Sequence, residues 1–135
     1  MRKRDISVVI TDLDNTLYDW VEMWYQAFSA MLAKISADVE PKGVTRDRLL
    51  SEIRTVHQKH GTSEYAFLLE ELPCLRDAFP NADIVAHFDD AIHSYRRARK
   101  EHLKLYPGVL QTLQTLKDAG ILVVAYTESM AKAYP

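Results

Sequence analysis

Two short runs of apolar residues lie near opposite ends of the chain, and each leads into polar side chains. The first run, residues 6–11 (ISVVIT), is followed by Asp12 and Asp14. The second run, residues 121–127 (ILVVAYT), ends in Thr127. Runs of this kind are typical of parallel strands with both faces covered. Because ligands bind outside the carboxyl ends of parallel strands, we expect these polar residues to meet at one edge of a sheet.

The chain between the two strands predicts helices, because its apolar residues recur at steps of three and four. A long helix should begin near residue 20 and break at residues 40–45 (EPKGVT). Thr45 should cap the next helix, and Gly61 should end it. The remaining expectations are a helix at 63–72, an irregular link at 72–83, a helix capped by Asn81 and running to about residue 102, and a helix that carries Leu110, Leu113 and Leu116 and ends at Gly120.

The separation of the two strand ends along the chain indicates a large insertion. Asp12 and Thr127 are 127 − 12 = 115 residues apart, whereas a parallel crossover needs only about 30 residues. We therefore expect an α/β fold in which residues 1–19 and 105–135 form a partial core with two strands. Residues 20–104 would form an all-helical cap inserted after the first strand.

Composition bears mainly on the partners and the compartment. The chain has 135 residues, 47% of them hydrophobic and 27% charged, which suits a globular protein with its own core. Its formal net charge of −2 offers no basic excess for a phosphate backbone, so no nucleic-acid partner is expected. The apolar run is too short for a signal sequence or a membrane span, and Cys74 is the single cysteine. These features predict a cytoplasmic protein with no membrane partner.

The paired acids after the first strand suggest metal and phosphate chemistry. Two crowded carboxylates repel each other unless a cation joins them. Mg²⁺ prefers oxygen ligands, usually one or two carboxylates together with a substrate phosphate. A carboxylate can also attack phosphorus to form an aspartyl-phosphate, and a second acid can protonate the leaving oxygen. Asp12, Asp14 and Thr127 therefore predict a Mg²⁺-dependent phosphoryl-transfer site.

Both strand ends resemble known motifs. The segment DLDNTLYD (residues 12–19) resembles the first motif, Asp-x-Asp-x-Thr, of the haloacid dehalogenase (HAD) superfamily. The segment LYPGVLQTLQTLKDAGILVVAYTES (residues 105–129) resembles the approach to that family's second motif, a strand ending in Thr or Ser. The resemblance implies a Rossmann-like HAD core with a helical cap inserted after the first motif. It also implies hydrolysis of a small phosphorylated metabolite, with a nucleotide among the candidates.

The resemblance assigns catalytic roles to the first motif. Asp12 would be the nucleophile and a Mg²⁺ ligand, and Asp14 the general acid and base. The backbone carbonyl of Asp14 would complete the metal contacts, and Thr16 would support the loop. Because family dehalogenases generally lack an acid at the second position, Asp14 favours phosphate-ester hydrolysis over dehalogenation.

The same resemblance assigns phosphate binding to both strand ends. The hydroxyl of Thr127 would bind the phosphoryl oxygens, and the neighbouring backbone N–H groups, at Leu13 and Glu128, would assist. Tyr18 and Trp20, next to the loop, are candidates for contacting the substrate. Asp19 is expected to cap the first helix.

Other interpretations stay open. The family's Lys and further acidic motifs follow the second motif, but the chain ends 135 − 127 = 8 residues after Thr127. The chain could therefore be a catalytically incomplete fragment or association module of a HAD-like protein. A two-stranded sheet is marginal by itself, so oligomer formation or strand exchange is also predicted. A haloacid dehalogenase and a phosphoacceptor domain of the response-regulator type are weaker alternatives.

Overall fold

The structure, a computed structural model, describes residues 5–127 as two parallel strands and a set of helices. Two short 3₁₀ turns, Glu40–Lys42 and Leu69–Glu71, join some of the helices. The elements in chain order are β1 (Val8–Asp12), α1 (Trp20–Val39), α2 (Arg46–His60), α3 (Pro73–Ala78), α4 (Ile84–His87), α5 (Asp89–His102), α6 (Val109–Asp118) and β2 (Leu122–Tyr126). The predicted α/β class, with two core strands and a helical insertion, is confirmed.

The two strands pair in parallel, and their register runs from Val8 opposite Leu122 to Asp12 opposite Tyr126. Both strands therefore end at the same edge. The apolar sequence predicted covering on both faces, but several of these side chains are exposed among the described residues. Ile10 is 70% exposed and Leu122 60% exposed. A continuous apolar run predicts a strand, but it does not show which element covers each face of that strand.

The helix preceding β2 ends next to Gly120, as predicted. Gly108, with a φ of 84°, lies at the N-cap of α6. Gly120, with a φ of 72°, follows its last residues in the left-handed conformation that glycine adopts without strain. The N–H of Ile121 then donates to the carbonyl of Leu116 at 3.0 Å, which leads the chain directly into β2.

The second helix also begins and ends as predicted. The side chain of Thr45 accepts a hydrogen bond from the N–H of Arg48 at 3.2 Å, and so satisfies one of the free donors at the start of α2. At its other end, Gly61 has a φ of 64°, and its N–H returns to the carbonyls of the last turn. Both signals are local, which is why the sequence reveals them.

The segment from residue 63 to residue 88 differs from the prediction. The prediction of a helix at 63–72 is wrong, since only the 3₁₀ turn Leu69–Glu71 forms there. The irregular link expected at 72–83 instead contains α3, which begins with a proline and buries Cys74 and Leu75. Tertiary burial of two apolar side chains outweighs the weak local signal of so short a helix.

The N-cap predicted at Asn81 is also wrong. Asp83 caps α4 instead, because its Oδ1 accepts from the N–H of Ala86 at 3.1 Å. The single predicted helix divides at Phe88, which is 2% exposed, into α4 and α5. Because Asn and Asp are about equally favourable as N-caps, the sequence alone does not show whether Asn81 or Asp83 caps the helix.

The chain divides into two compact units. One comprises the residues up to Tyr25 and those from Lys100 onward, and the other is Gln26–Arg99. These limits fall within α1 and α5, a few residues inside the cap boundaries expected from the sequence. No helix among residues 5–127 is long and apolar enough to cross a membrane.

The helical unit has a well-buried apolar core. Each helix contributes its apolar face, and the short α3 contributes its cysteine and leucine. Phe28 of α1 is partly buried against this core. The most deeply buried members of this core are Ile35, Val39, Leu49, Leu72, Cys74, Leu75 and Phe88.

Candidate active site

Asp12 is the last residue of β1, and its side chain is exposed at the carboxyl edge of the sheet. The hydroxyl of Thr16 donates to Oδ2 of Asp12 at 3.0 Å. No other hydrogen bond reaches this carboxylate from the part of the chain that the structure describes. Within these residues its Oδ1 atom accepts no hydrogen bond, and a carboxylate oxygen of this kind can bind a metal ion or attack phosphorus.

The loop after Asp12 is held by a tight local turn. The carbonyl of Leu13 accepts from the N–H groups of Thr16 at 3.2 Å and Leu17 at 2.9 Å. Asn15 has a φ of 58°, a left-handed conformation that asparagine tolerates better than most residues. Its Oδ1 atom accepts from the N–H of Trp20 at 2.9 Å, which ties the loop to the start of α1. Asn15 therefore joins this turn to the first residue of α1.

Asp14 is partly buried and contacts a tyrosine that the sequence analysis did not link to it. The hydroxyl of Tyr18 donates to Oδ1 of Asp14. Tyr18 was expected to be a candidate for contacting substrate, whereas the structure places its hydroxyl on the second acid of the motif. The four-residue spacing becomes informative only once the turn at Leu13 is known, because extended chain would separate the two side chains.

The first turn of α1 is capped by Asp19, as predicted. Its Oδ1 accepts from the N–H of Glu22 at 2.9 Å, and its carbonyl accepts from Met23 at 3.2 Å. In the same turns, the rings of Trp20 and Trp24 stack with centroids 5.9 Å apart. The loop therefore leads directly into a helix whose first two turns carry stacked aromatic residues.

The second strand supplies the other half of the edge. Asp12 pairs with Tyr126 in the sheet register, so Thr127 is the first residue beyond β2 and Leu13 the first beyond β1. Thr127 is exposed, and Leu13 is half-buried. Glu128, the remaining predicted phosphate-binding position, lies outside the described residues.

The oxygen ligands at this edge of the sheet bear on the predicted Mg²⁺. Residues 5–127 contain no cluster of three or more His, Cys, Asp and Glu side chains that could hold a metal ion. The open oxygen of the Asp12 carboxylate and the backbone carbonyl of Asp14 are nevertheless oxygen ligands of the kind that a magnesium ion accepts when substrate and water supply the rest. Asp12 and Asp14 thus fit Mg²⁺ by chemistry.

Comparison with known proteins identifies the class. A profile of the haloacid dehalogenase-like hydrolases matches residues 6–133. The chain belongs to this family.

A curated relative gives a more specific similarity. The chain is 28% identical, over 130 residues, to a glyceraldehyde 3-phosphate phosphatase of Methanopyrus kandleri. The alignment covers 93% of this chain and 52% of the relative. The chain therefore spans about half the length of the curated relative that it matches.

Proposed function

We propose that the protein is a Mg²⁺-dependent phosphatase that hydrolyses a small phosphomonoester through an aspartyl-phosphate at Asp12. The observation that carries this proposal is the environment of Asp12, an exposed carboxylate at the end of a parallel strand. One of its oxygens accepts from Thr16, and the other accepts no hydrogen bond within the described residues. A carboxylate held by one oxygen is oriented for attack through the other.

The reaction takes two steps. In the first, Oδ1 of Asp12 attacks phosphorus, the bond from phosphorus to the substrate oxygen breaks, and Asp14 gives its proton to that oxygen. In the second, Asp14 removes a proton from water, the resulting oxygen attacks phosphorus, and the bond to Asp12 breaks. Inorganic phosphate leaves, and both carboxyl groups return to their starting states.

The phosphoryl group would be held by donors at the two strand ends. These are the hydroxyl of Thr127 and the backbone N–H groups of Leu13 and Glu128. Mg²⁺, bound by the Asp12 carboxylate and the Asp14 carbonyl, would offset the negative charge shared by nucleophile and substrate. This assignment leaves the carboxyl group of Asp14 for proton transfer.

The relative supports the choice of substrate class. That protein is named a glyceraldehyde 3-phosphate phosphatase, and we propose a small phosphorylated metabolite, with a nucleotide as the other candidate. We place the protein in the cytoplasm, where such metabolites occur. Association between copies through the incomplete sheet stays a prediction, which sedimentation at increasing protein concentration tests.

The decisive experiment is phosphate release from a panel of phosphomonoesters, with Mg²⁺ and with EDTA, by the parent chain and by Asp12→Asn. The matched control is Asp47→Asn, the same substitution at an exposed position in the first turn of α2. We expect release that requires Mg²⁺, is lost in Asp12→Asn and is retained in Asp47→Asn. Release by Asp12→Asn at the parent's rate would exclude the nucleophile assignment.

A second candidate is a catalytically incomplete part of a HAD-like hydrolase. It is favoured by the alignment, which covers 52% of the relative. The two candidates differ in one measurement. If the 135-residue chain releases no phosphate while a longer form carrying the same Asp12 does, the second candidate is correct for the chain and the first for the longer protein.

A further inference from the structure

We infer that Tyr18 is a positioning residue, which fixes the orientation of the Asp14 carboxyl group for proton transfer. This inference rests on the proposed function, because it gives Tyr18 a part in that reaction. The observation is direct: the Tyr18 hydroxyl donates to Oδ1 of Asp14, and both side chains are partly buried. A hydrogen bond from a fixed donor favours one orientation of the side chain that accepts it.

The backbone around Tyr18 is fixed from two directions. Tyr18 forms an isolated bridge with Asp14 on one side and another with Leu105 on the other. Next to it, the N–H of Tyr106 donates to the carbonyl of Leu17 at 2.8 Å. The segment leaving the first motif is thus joined to the segment returning from α5, within one compact unit. The hydroxyl of Tyr18 is therefore presented by backbone that is tied at both sides.

This arrangement distinguishes the two oxygens of Asp14. Because Oδ1 already accepts from Tyr18, the proton that Asp14 transfers must reside on Oδ2. Rotation of the carboxyl group would break the contact with Tyr18, so Oδ2 keeps one direction throughout the cycle. A general acid needs its protonated oxygen within about 3 Å of the leaving oxygen, and a freely rotating carboxyl group meets this condition less often. Tyr18 keeps its own proton and touches no reacting atom.

The role predicts an effect that depends on the leaving group. A substrate with a poor leaving oxygen, such as an alkyl phosphate, needs proton transfer from Asp14. A substrate with a good leaving oxygen, such as p-nitrophenyl phosphate, needs little proton transfer from Asp14. Both substrates use Asp12, Thr16 and the phosphate-binding donors in the same way. Only a residue that acts through Asp14 should therefore change the reaction rate of one substrate more than that of the other.

The test compares kcat/KM for the two substrates in the parent protein and in Tyr18→Phe, since kcat/KM reports phosphoryl transfer from substrate to Asp12. We expect kcat/KM for the alkyl phosphate to fall about tenfold, which corresponds to ~1.4 kcal/mol. The value for p-nitrophenyl phosphate should change less than twofold. Tyr106→Phe is the matched control, as it removes an exposed hydroxyl from the same unit and keeps the backbone contact with Leu17. It should leave both values unchanged.

A second set of variants separates positioning from structural damage. In an Asp14→Asn background the acid is absent, so adding Tyr18→Phe should produce no further difference between the substrates. An equal fall for both substrates in Tyr18→Phe, or a further selective fall in the double variant, would overturn the inference and leave the proposed function intact. No phosphate release by any form carrying Asp12 would overturn the proposed function, and this inference with it.

Discussion

The hydroxyl of Thr16 and the carboxylate of Asp12 lie 3.0 Å apart, so the first motif supplies a hydrogen-bond donor to the proposed nucleophile four residues earlier. The contact depends on the turn at Leu13, whose carbonyl accepts from both Thr16 and Leu17. It holds one oxygen of Asp12 and leaves the other exposed. An exposed carboxylate on a five-residue strand thereby acquires a defined direction.

Removing this hydroxyl should reduce catalysis more than stability. In Thr16→Val the shape of the side chain is kept, but Oδ2 of Asp12 loses its donor. Because hydrogen bonds to charged groups contribute about 1.5–3 kcal/mol, we expect kcat to fall about tenfold or more. The thermal midpoint should change little, since Thr16 is exposed. Steady-state kinetics with Mg²⁺ and thermal unfolding measure the two effects.

Thr16→Ser provides the control for that prediction. Serine keeps the hydroxyl, so its kcat should stay within a few-fold of the parent value. A loss in Thr16→Ser as large as that in Thr16→Val would mean that the hydroxyl alone does not explain the effect, and it would contradict the prediction.

In the helical unit, Glu71 joins the end of α2 to the 3₁₀ turn. Its carboxylate accepts from Lys59 Nζ at 2.8 Å, from Tyr65 Oη at 2.6 Å and from His60 Nε2 at 3.0 Å. The ring of His60 also stacks on Tyr65, with centroids 3.6 Å apart. Lys59 first, and then Tyr65 and His60, lower the pKa of Glu71 from 4.5 to about 2.

The lowered pKa of Glu71 predicts how stability depends on pH. Because the folded state holds Glu71 ionised more strongly than the unfolded chain does, its contribution is complete above the unfolded pKa of 4.5. The contribution is lost as pH falls toward the folded pKa of about 2. Glu71→Gln should therefore be less stable than the parent at pH 7, and the gap should narrow between about pH 5 and pH 2.

Urea unfolding of both proteins across that pH range tests the prediction. Glu70→Gln, an exposed neighbour whose backbone carbonyl accepts from Arg76, is the matched control and should follow the parent at every pH. A gap between parent and Glu71→Gln that stays constant down to pH 2 would contradict the assignment of the effect to ionisation.

Gly61 ends α2 with a φ of 64°, and a Cβ added there would contact nothing within 4 Å. Gly61→Ala should therefore cost conformational energy alone, about 1 kcal/mol of unfolding free energy. Gly61→Asn should cost less, because asparagine tolerates the left-handed region. Chemical denaturation of the three proteins gives the order, and an alanine variant as stable as the parent would contradict it.

Cys74 is fully buried at the start of α3, where its N–H donates to Oε2 of Glu52 at 2.8 Å. Burial, assisted by Glu52, raises the pKa of the Cys74 thiol to about 12. Since the thiolate is the reactive form, the folded protein should react very slowly with a thiol reagent at pH 8. In urea the single cysteine should react fully, and fast reaction in the folded state would show that α3 opens readily.

Some of the fold follows from residues that act on their immediate neighbours. Thr45, Gly61, Gly120 and Asp19 were predicted correctly because a cap or a left-handed residue exerts its effect within one helical turn. The two strands were also predicted, since a continuous apolar run indicates them without knowledge of their partner. The family follows from the same two strand ends.

Other elements required the assembled protein. The helix α3 has six residues, too few to be stable alone, and forms because Cys74 and Leu75 enter the core of the helical unit. The choice of Asp83 over Asn81 as a cap likewise depends on where Ile84 and Phe88 become buried. Local signals at these positions were close to equal, so burial decided between them.

The sequence by itself determined the two strands, the helical character of the insertion and the carboxylates at the strand end. Each of these depends on periodicity, on local capping or on the identity of a side chain. The contact between Thr16 and Asp12 depends on the local turn at Leu13. The tertiary structure decided that Tyr18, whose hydroxyl contacts Asp14, also pairs with Leu105, a residue 105 − 18 = 87 positions away. Contacts over such a separation arise only when the whole chain folds.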